Sequence, residues 1–151
     1  MNTRGFTLIE LMITVAVMAV LAAIAFPSYT QFLLKNNASA AEARILELSQ
    51  ALEKHKSQNF SYKGFPISSE DLGSPKKYTI TLVGAVSQDG SGVETAASIA
   101  TSGSGWSIKA VPVDNRNYTY LMTSQGLKCK SKLSSDVTYS GCGTGASNEN
   151  W

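Results

Sequence analysis

The feature that most constrains this chain is an apolar run near its N-terminus with a single acid set into it. Of the 21 residues from Phe6 to Phe26, 18 are apolar, the exceptions being Thr7, Glu10 and Thr14. The next charge after Glu10 is Lys35, so residues 11–34 form an uncharged stretch of 24. About 20 helical apolar residues cross the hydrocarbon core of a bilayer. The run therefore reads as a membrane helix or as a secretory signal. The signal reading has Arg4 for a basic region and Ala23-Ile24-Ala25 for a small-residue cleavage site. Neither reading wants Glu10, because an acid in an apolar helix costs about 3 kcal/mol at the bilayer centre. Glu10 either snorkels to the headgroups or has a positive partner at its own depth. A cut between Gly5 and Phe6 creates such a partner, a new α-amino group four residues before Glu10 on the same helix face.

Gly5-Phe6-Thr7-Leu8-Ile9-Glu10-Leu11-Met12-Ile13, after a very short leader carrying Arg4, resembles the class III signal of type IV pilins and pseudopilins. With Phe26-Pro27-Ser28-Tyr29 the resemblance covers about 24 residues. It implies that a prepilin peptidase cuts between Gly5 and Phe6 and N-methylates Phe6. It also implies that Glu10 takes part in docking subunits into a filament. The location implied is the bacterial inner membrane with the head in the periplasm. From there an inner-membrane assembly platform passes the subunit into a fibre at the cell surface.

Beyond the apolar run, Pro27 predicts a kink or a loosened turn. Ala41, Ile45, Leu48 and Leu52 then recur at steps of four, three and four, an apolar stripe with polar flanks. A helix from Phe6 to about Lys56 has a length of roughly 75 Å at 1.5 Å per residue. Asn36-Asn37-Ala38-Ser39 is a point where it can bend. Its first half is apolar on all sides and suits burial among other subunits; its second half suits packing on its own domain. His55, between Lys54 and Lys56, has no recognisable nucleophile and orienting acid, and reads as a surface residue at the helix C-terminus. One His and two Cys are too few for a tetrahedral zinc site built from those residues. No enzyme, cofactor or metal is expected.

A loop rich in aromatics, Gly and Pro is predicted from Ser57 to Lys77. Its Ser61-Tyr62-Lys63-Gly64 stretch between helix and first strand is similar to the minor pilins of the type IVa class. Period-two alternation then predicts strands at 78–83, 106–111 and 118–123. One face of this antiparallel sheet carries Tyr78, Ile80, Leu82, Trp106, Ile108, Ala110, Tyr118, Tyr120 and Met122. Residues 84–105 hold 10 Gly or Ser among 22. Asp89-Gly90-Ser91-Gly92 is turn chemistry there, and the connection is mobile or its Val93–Thr101 part pairs as an extra edge strand. In an exported protein the pair Cys129 and Cys142 reads as a disulfide, and the resemblance makes the loop they close the exposed region of a pilin head. Lys128, Lys130 and Lys132 alternate, so an extended strand projects them to one side. Lys76, Lys77 and Arg116 are candidates to join them. Such a row guards a sheet edge against aggregation or binds DNA phosphates, with Tyr139 the aromatic nearest in sequence. A net charge of +2 does not by itself mark a nucleic-acid binder.

The expectation is an α+β, pilin-like fold. A long N-terminal helix, its hydrophobic half protruding, packs on a small antiparallel sheet with a C-terminal disulfide-bonded loop. Residues 1–5 are the leader, 6–34 the transmembrane and assembly helix, and 35–151 the head. Within the head the helix continues to about 56, the sheet covers 78–123 and the disulfide loop 129–142. The function expected is a structural subunit of a type IV pilus, foremost a minor pilin that initiates assembly or decorates the fibre. The alternatives are a major pilin, a DNA-receptor pilin for natural transformation and a type II secretion pseudopilin. The partners are other pilins, the peptidase, the assembly platform, the inner membrane and, for the receptor reading, DNA.

Overall fold

A computed structural model describes residues 6–89, 94–143 and 151. Arg4 and Gly5 of the leader, Gly90-Ser91-Gly92 of the expected turn and the Thr144-Gly145 end of the tail lie outside the described residues. The chain divides into two compact units, Met1–Asn36 and Asn37–Trp151.

Helix α1 is Leu8–Asn59, 52 residues. Thr7 caps it, its Oγ1 accepting the Glu10 N–H at 3.3 Å. Pro27 and the Asn36–Ser39 stretch lie inside α1 and do not end it. Losing the one N–H of a proline leaves the hydrogen bonds on either side in place. In the first unit the apolar side chains are exposed, Leu8, Met12, Met18, Ile24 and Phe32 among them. The segment is long and apolar enough to cross a membrane. In the second unit Ala41, Ile45, Leu48 and Leu52 are buried, the stripe read from their spacing. The helix runs three residues past Lys56, and Phe60 ends it in the left-handed region at φ 56°.

The sheet is larger than the three strands expected. It has five antiparallel strands in the order β1-β2-β5-β6-β7. They are β1 (Ser69–Leu72), β2 (Tyr78–Val83), β5 (Ser107–Pro112), β6 (Thr119–Thr123) and β7 (Lys128–Ser131). Glu70 and Asp71 break the apolar alternation of β1, a four-residue edge strand, so no period-two signal marks it in the sequence. Glu70 is held from outside the sheet, by a paired hydrogen bond from Arg44 of α1 at 2.6 and 2.8 Å. Between β2 and β5, β3 (Val86–Gln88) pairs with β4 (Glu94–Ala96) in a separate two-stranded sheet. Val93 lies outside the described residues; of the rest of the expected 93–101 stretch, residues 94–96 form a strand that does not join the edge of the main sheet. Within the same stretch, after that strand, Ile99 is buried in the core.

The main core lies between the α1 stripe and the sheet face bearing Tyr78, Ile80, Leu82, Ile108, Ala110 and Tyr120, with Tyr62, Phe65 and Trp106 closing one side. The other face is not left to solvent, as a half-buried sheet would leave it. Leu121, Cys129 and Val137 make a second small cluster there, with Cys142 against it. The Cys129–Cys142 disulfide is formed, its Cα atoms 6.2 Å apart. Crossing 13 residues of sequence, it folds the C-terminal loop onto that face.

Candidate functional site

Strand β7 is the outer strand of the main sheet and carries the lysine row. In its register with β6, Lys128 is opposite Met122, Cys129 opposite Leu121 and Lys130 opposite Tyr120. The lysines thus stand on the face that bears Tyr120, and the alternate residues Cys129 and Ser131 are buried. Each ammonium lies over an aromatic ring. Lys128 is 5.3 Å from the ring centre of Trp151; Lys130 and Lys132 are 5.0 and 5.4 Å from that of Tyr118. Trp151 is seated by its indole N–H, which donates to the Cys129 carbonyl at 3.0 Å, and by an edge-on contact with Tyr120 at 5.5 Å. A cation over a ring face gains about 0.5–1 kcal/mol at an exposed site. The rings therefore restrict where three flexible lysines point.

Of the other expected members of the patch, Lys76 and Arg116 are held in ion pairs of their own. Lys76 pairs with Asp71 at 2.9 Å in the β1–β2 connection, three strands across the sheet from β7. Lys77 shares that connection, its backbone N–H bonded to the Leu72 carbonyl. Arg116 is gripped by Asp114 at 2.6 Å, and this pairing holds the Asp114 carboxyl down at about 2. Tyr139 is not the aromatic of the row: its ring lies 5.6 Å from Lys109. Trp151 and Tyr118 take that place. Spacing along the chain hides Trp151, which reaches β6 and β7 only through tertiary folding.

The loop closed by the disulfide has its own electrostatic anchor, Glu94 on β4. Its carboxylate accepts the backbone N–H groups of Tyr139 at 2.8 Å and Ser140 at 2.9 Å, and also the Ser140 hydroxyl. Burial alone would raise its pKa, but these donors outweigh it and bring the group to about 2. Lys109 lies half-buried beside the loop and donates to the Val137 carbonyl. Burial lowers its pKa, partly offset by the Glu94 charge. His55 is a strap and not a free surface residue. One ring nitrogen meets the Lys63 carbonyl at 3.1 Å, and the ring stands edge-on to Phe65.

At the N-terminus, Phe6 is exposed and Glu10 falls in the first turn of α1. Thr7-Leu8-Ile9-Glu10 has the spacing of a capping box, in which the Glu10 backbone N–H donates to the Thr7 hydroxyl. Gly5 lies outside the described residues. Among the described residues no group of three or more His, Cys, Asp or Glu is placed to hold a metal ion.

Residues 1–26 match the prokaryotic N-terminal methylation motif. Residues 27–144, the greater part of the chain, match the family described as type IV minor pilin ComP, DNA uptake sequence receptor. The chain belongs to this family. Its curated relatives are pilins too. The type IV major pilin protein PilA of Myxococcus xanthus is 42% identical over 64 residues, covering 42% of this chain and 29% of PilA. A fimbrial protein of Pseudomonas aeruginosa is 35% identical over 89 residues, covering 59% of this chain and 54% of that protein. The type IV major fimbrial protein FimA of Dichelobacter nodosus is 42% identical over 50 residues, covering 33% of this chain and 32% of FimA. This ComP-family pilin thus spans about half or less of the length of the curated relatives it matches. No solved structure matches it.

Proposed function

We propose that this pilin is a minor subunit of a type IV pilus whose head binds DNA for uptake. The observation that carries the reading is the lysine row of β7, set over Tyr118 and Trp151, in a chain of the ComP family. Phosphates supply most of the affinity of non-specific DNA binding, and a row of ammonium groups held in register tracks a phosphate backbone. Rings beneath the row add flat surfaces on which bases of single strands stack. The competing account is a pilus subunit, major or minor, whose lysines only guard the sheet edge.

The assembly half of the reading rests on the apolar segment. Exposed apolar side chains on all sides of residues 8–33 need lipid or neighbouring helices to cover them. We place the segment in the inner membrane first and among other pilin helices in a surface fibre afterwards. Prepilin peptidase cuts between Gly5 and Phe6 and methylates Phe6, and Glu10 pairs with a subunit's free amine.

The test titrates the full chain in detergent with duplex DNA over a range of salt. If each lysine neutralises one phosphate, log affinity falls with log salt at a slope near −3, about −0.9 per contact. Dissociation constants are expected on the order of 10⁻⁴ to 10⁻⁶ M at physiological salt. Changing Lys128, Lys130 and Lys132 to Gln should abolish that slope. Absence of binding, or a slope that the triple variant keeps, leaves the row as an edge guard and removes the receptor role.

A further inference from the structure

The tip of the disulfide-closed loop turns the backbone N–H groups of two successive residues, Tyr139 and Ser140, onto one acceptor group, and the Ser140 hydroxyl joins them. Successive N–H groups arranged in this way form a concavity that binds anions. Bonds of the loop itself hold the tip. Val137 and Cys142 pair across it, and the Thr138 N–H and hydroxyl both donate to the Gly141 carbonyl at 2.9 Å. Below them the Gly143 N–H donates to the Asp136 carbonyl at 2.8 Å, and the disulfide at Cys142 ties the turn to β7. Thr138 and Ser140 are exposed, so the concavity lies at the protein surface.

An anion already sits there, and it is the chain's own. The Glu94 carboxylate takes the Tyr139 N–H on Oε2 and the Ser140 N–H and hydroxyl on Oε1, where the Gln88 amide adds a longer contact at 3.4 Å. Three donors thus converge on one oxygen that has about two lone-pair sites. A phosphate would spread the same donors over three strong acceptor oxygens. Lys109, half-buried beside the loop, adds a positive charge: it donates to the Val137 carbonyl and lies 5.6 Å from the Tyr139 ring centre. The element that carries Glu94 is slight. Strands β3 and β4 have three residues each and pair only with one another in their sheet. A lone two-stranded hairpin is at best marginally stable in water, and a short tether gives its carboxylate an effective concentration on the order of mM. A better-matched anion can compete with that.

We propose that the tip of the disulfide-closed loop is a binding site for a phosphate group, and that Glu94 fills it as an internal plug until a phosphate displaces the carboxylate. The phosphate is a free one or one of a nucleic-acid backbone; the donors recognise the same oxygens in both. The site is separate from the lysine row. The loop packs on the sheet face of Leu121 and Cys129, whereas Lys130 stands on the face of Tyr120. The inference therefore goes beyond the DNA reading and does not rest on it.

The experiment follows the Tyr139 and Ser140 amide resonances of the full chain in detergent. Inorganic phosphate is the probe, and chloride at equal ionic strength is the control. Glu94→Ala empties the concavity and keeps the turn. Phosphate should then shift both amides and bind on the order of tenfold more tightly than to the unaltered chain, where it competes with the tethered carboxylate. Acetate, a free stand-in for the lost side chain, should compete with it. Ser140→Ala added to Glu94→Ala deletes one donor and should weaken phosphate several-fold while the pairing of Val137 with Cys142 persists. A duplex arm tells the two sources apart. If a backbone phosphate enters the site, the log–log salt slope of duplex binding steepens by about 0.9 in Glu94→Ala. An unchanged slope beside a response to inorganic phosphate assigns the site to free phosphate groups. No amide response to phosphate in Glu94→Ala overturns the site and leaves Glu94 a structural clamp. Loss of the Val137–Cys142 pairing in that variant overturns it too, because the donors would then depend on the carboxylate for their positions. Equal phosphate binding by the variant and the unaltered chain overturns the plug.

Discussion

Phe60 closes α1 in the left-handed region, at φ 56°, with its backbone N–H on the Lys56 carbonyl at 2.7 Å. Glycine is the usual residue there because a Cβ crowds the following carbonyl, at a cost of about 1–2 kcal/mol. The ring does not offset that cost by packing, since Phe60 is 92% exposed. Its left-handed backbone therefore costs stability that the packing of its ring among the described residues does not return. Phe60→Gly is expected to be about 1 kcal/mol more stable than Phe60→Ala, read from urea unfolding of the full chain in detergent. Equal stability would mean that the backbone at 60 is not under strain. Gly103 shows the opposite constraint. A Cβ there would stand 2.9 Å from the Lys63 backbone nitrogen, where Tyr62 also donates to the Gly103 carbonyl. That close approach needs glycine whatever its φ.

At the scale of elements, the β3–β4 hairpin and the disulfide-closed loop are joined through one carboxylate. Glu94 is near 2 in the folded chain against an ordinary value of 4.5. A depressed acid contributes stability that is fully present above its unfolded value and lost as pH falls through the folded one. The link between hairpin and loop should therefore hold at pH 5 and weaken progressively between about pH 4.5 and 2. Amide exchange at Tyr139 and Ser140 would report it directly. Glu94→Gln should loosen the same amides at neutral pH, at a cost of about 1–2 kcal/mol, and flatten their response to acid. Unchanged protection in the variant would assign the loop's order to the disulfide alone. The paired hydrogen bond between Arg44 and Glu70 does comparable work on the other edge, tying β1 to α1. There the shared bonds raise the pKa of the guanidinium further.

For the molecule as a whole, the question is what the apolar segment meets. A carboxylate at Glu10 costs free energy in lipid, and the cap hydrogen bond at the helix start is donated by the Glu10 backbone N–H and not made by that carboxylate. Its use lies outside the single chain on the assembly reading. Glu10→Ala is expected to leave the protein made, inserted and folded but poorly incorporated into filaments. Incorporation beside the unaltered protein in sheared pili measures this. Mass spectrometry of the same material should find N-methylated Phe6 as the first residue. Normal incorporation of Glu10→Ala would remove the assembly role of the acid, and a first residue near Phe26 would replace pilin processing by ordinary signal cleavage.

The sequence by itself determined what depends on neighbours along the chain. The membrane-length apolar run, the α1 stripe, three strands with regular alternation and the alternating lysines are all local periodicities, and periodicity follows from backbone geometry. The two cysteines were legible as a pair because exported chains oxidise them. Tertiary structure decided what depends on residues far apart. Edge strand β1 is held by an arginine 26 residues away, and β4 by a loop 45 residues on. Trp151 is placed under Lys128 by carbonyls of β6 and β7, and the Thr123 hydroxyl is left without a partner among the described residues. No pattern in the chain announces these pairings. Each depends on which groups a closed core brings together, because a buried donor or acceptor must find its partner in space and not in sequence.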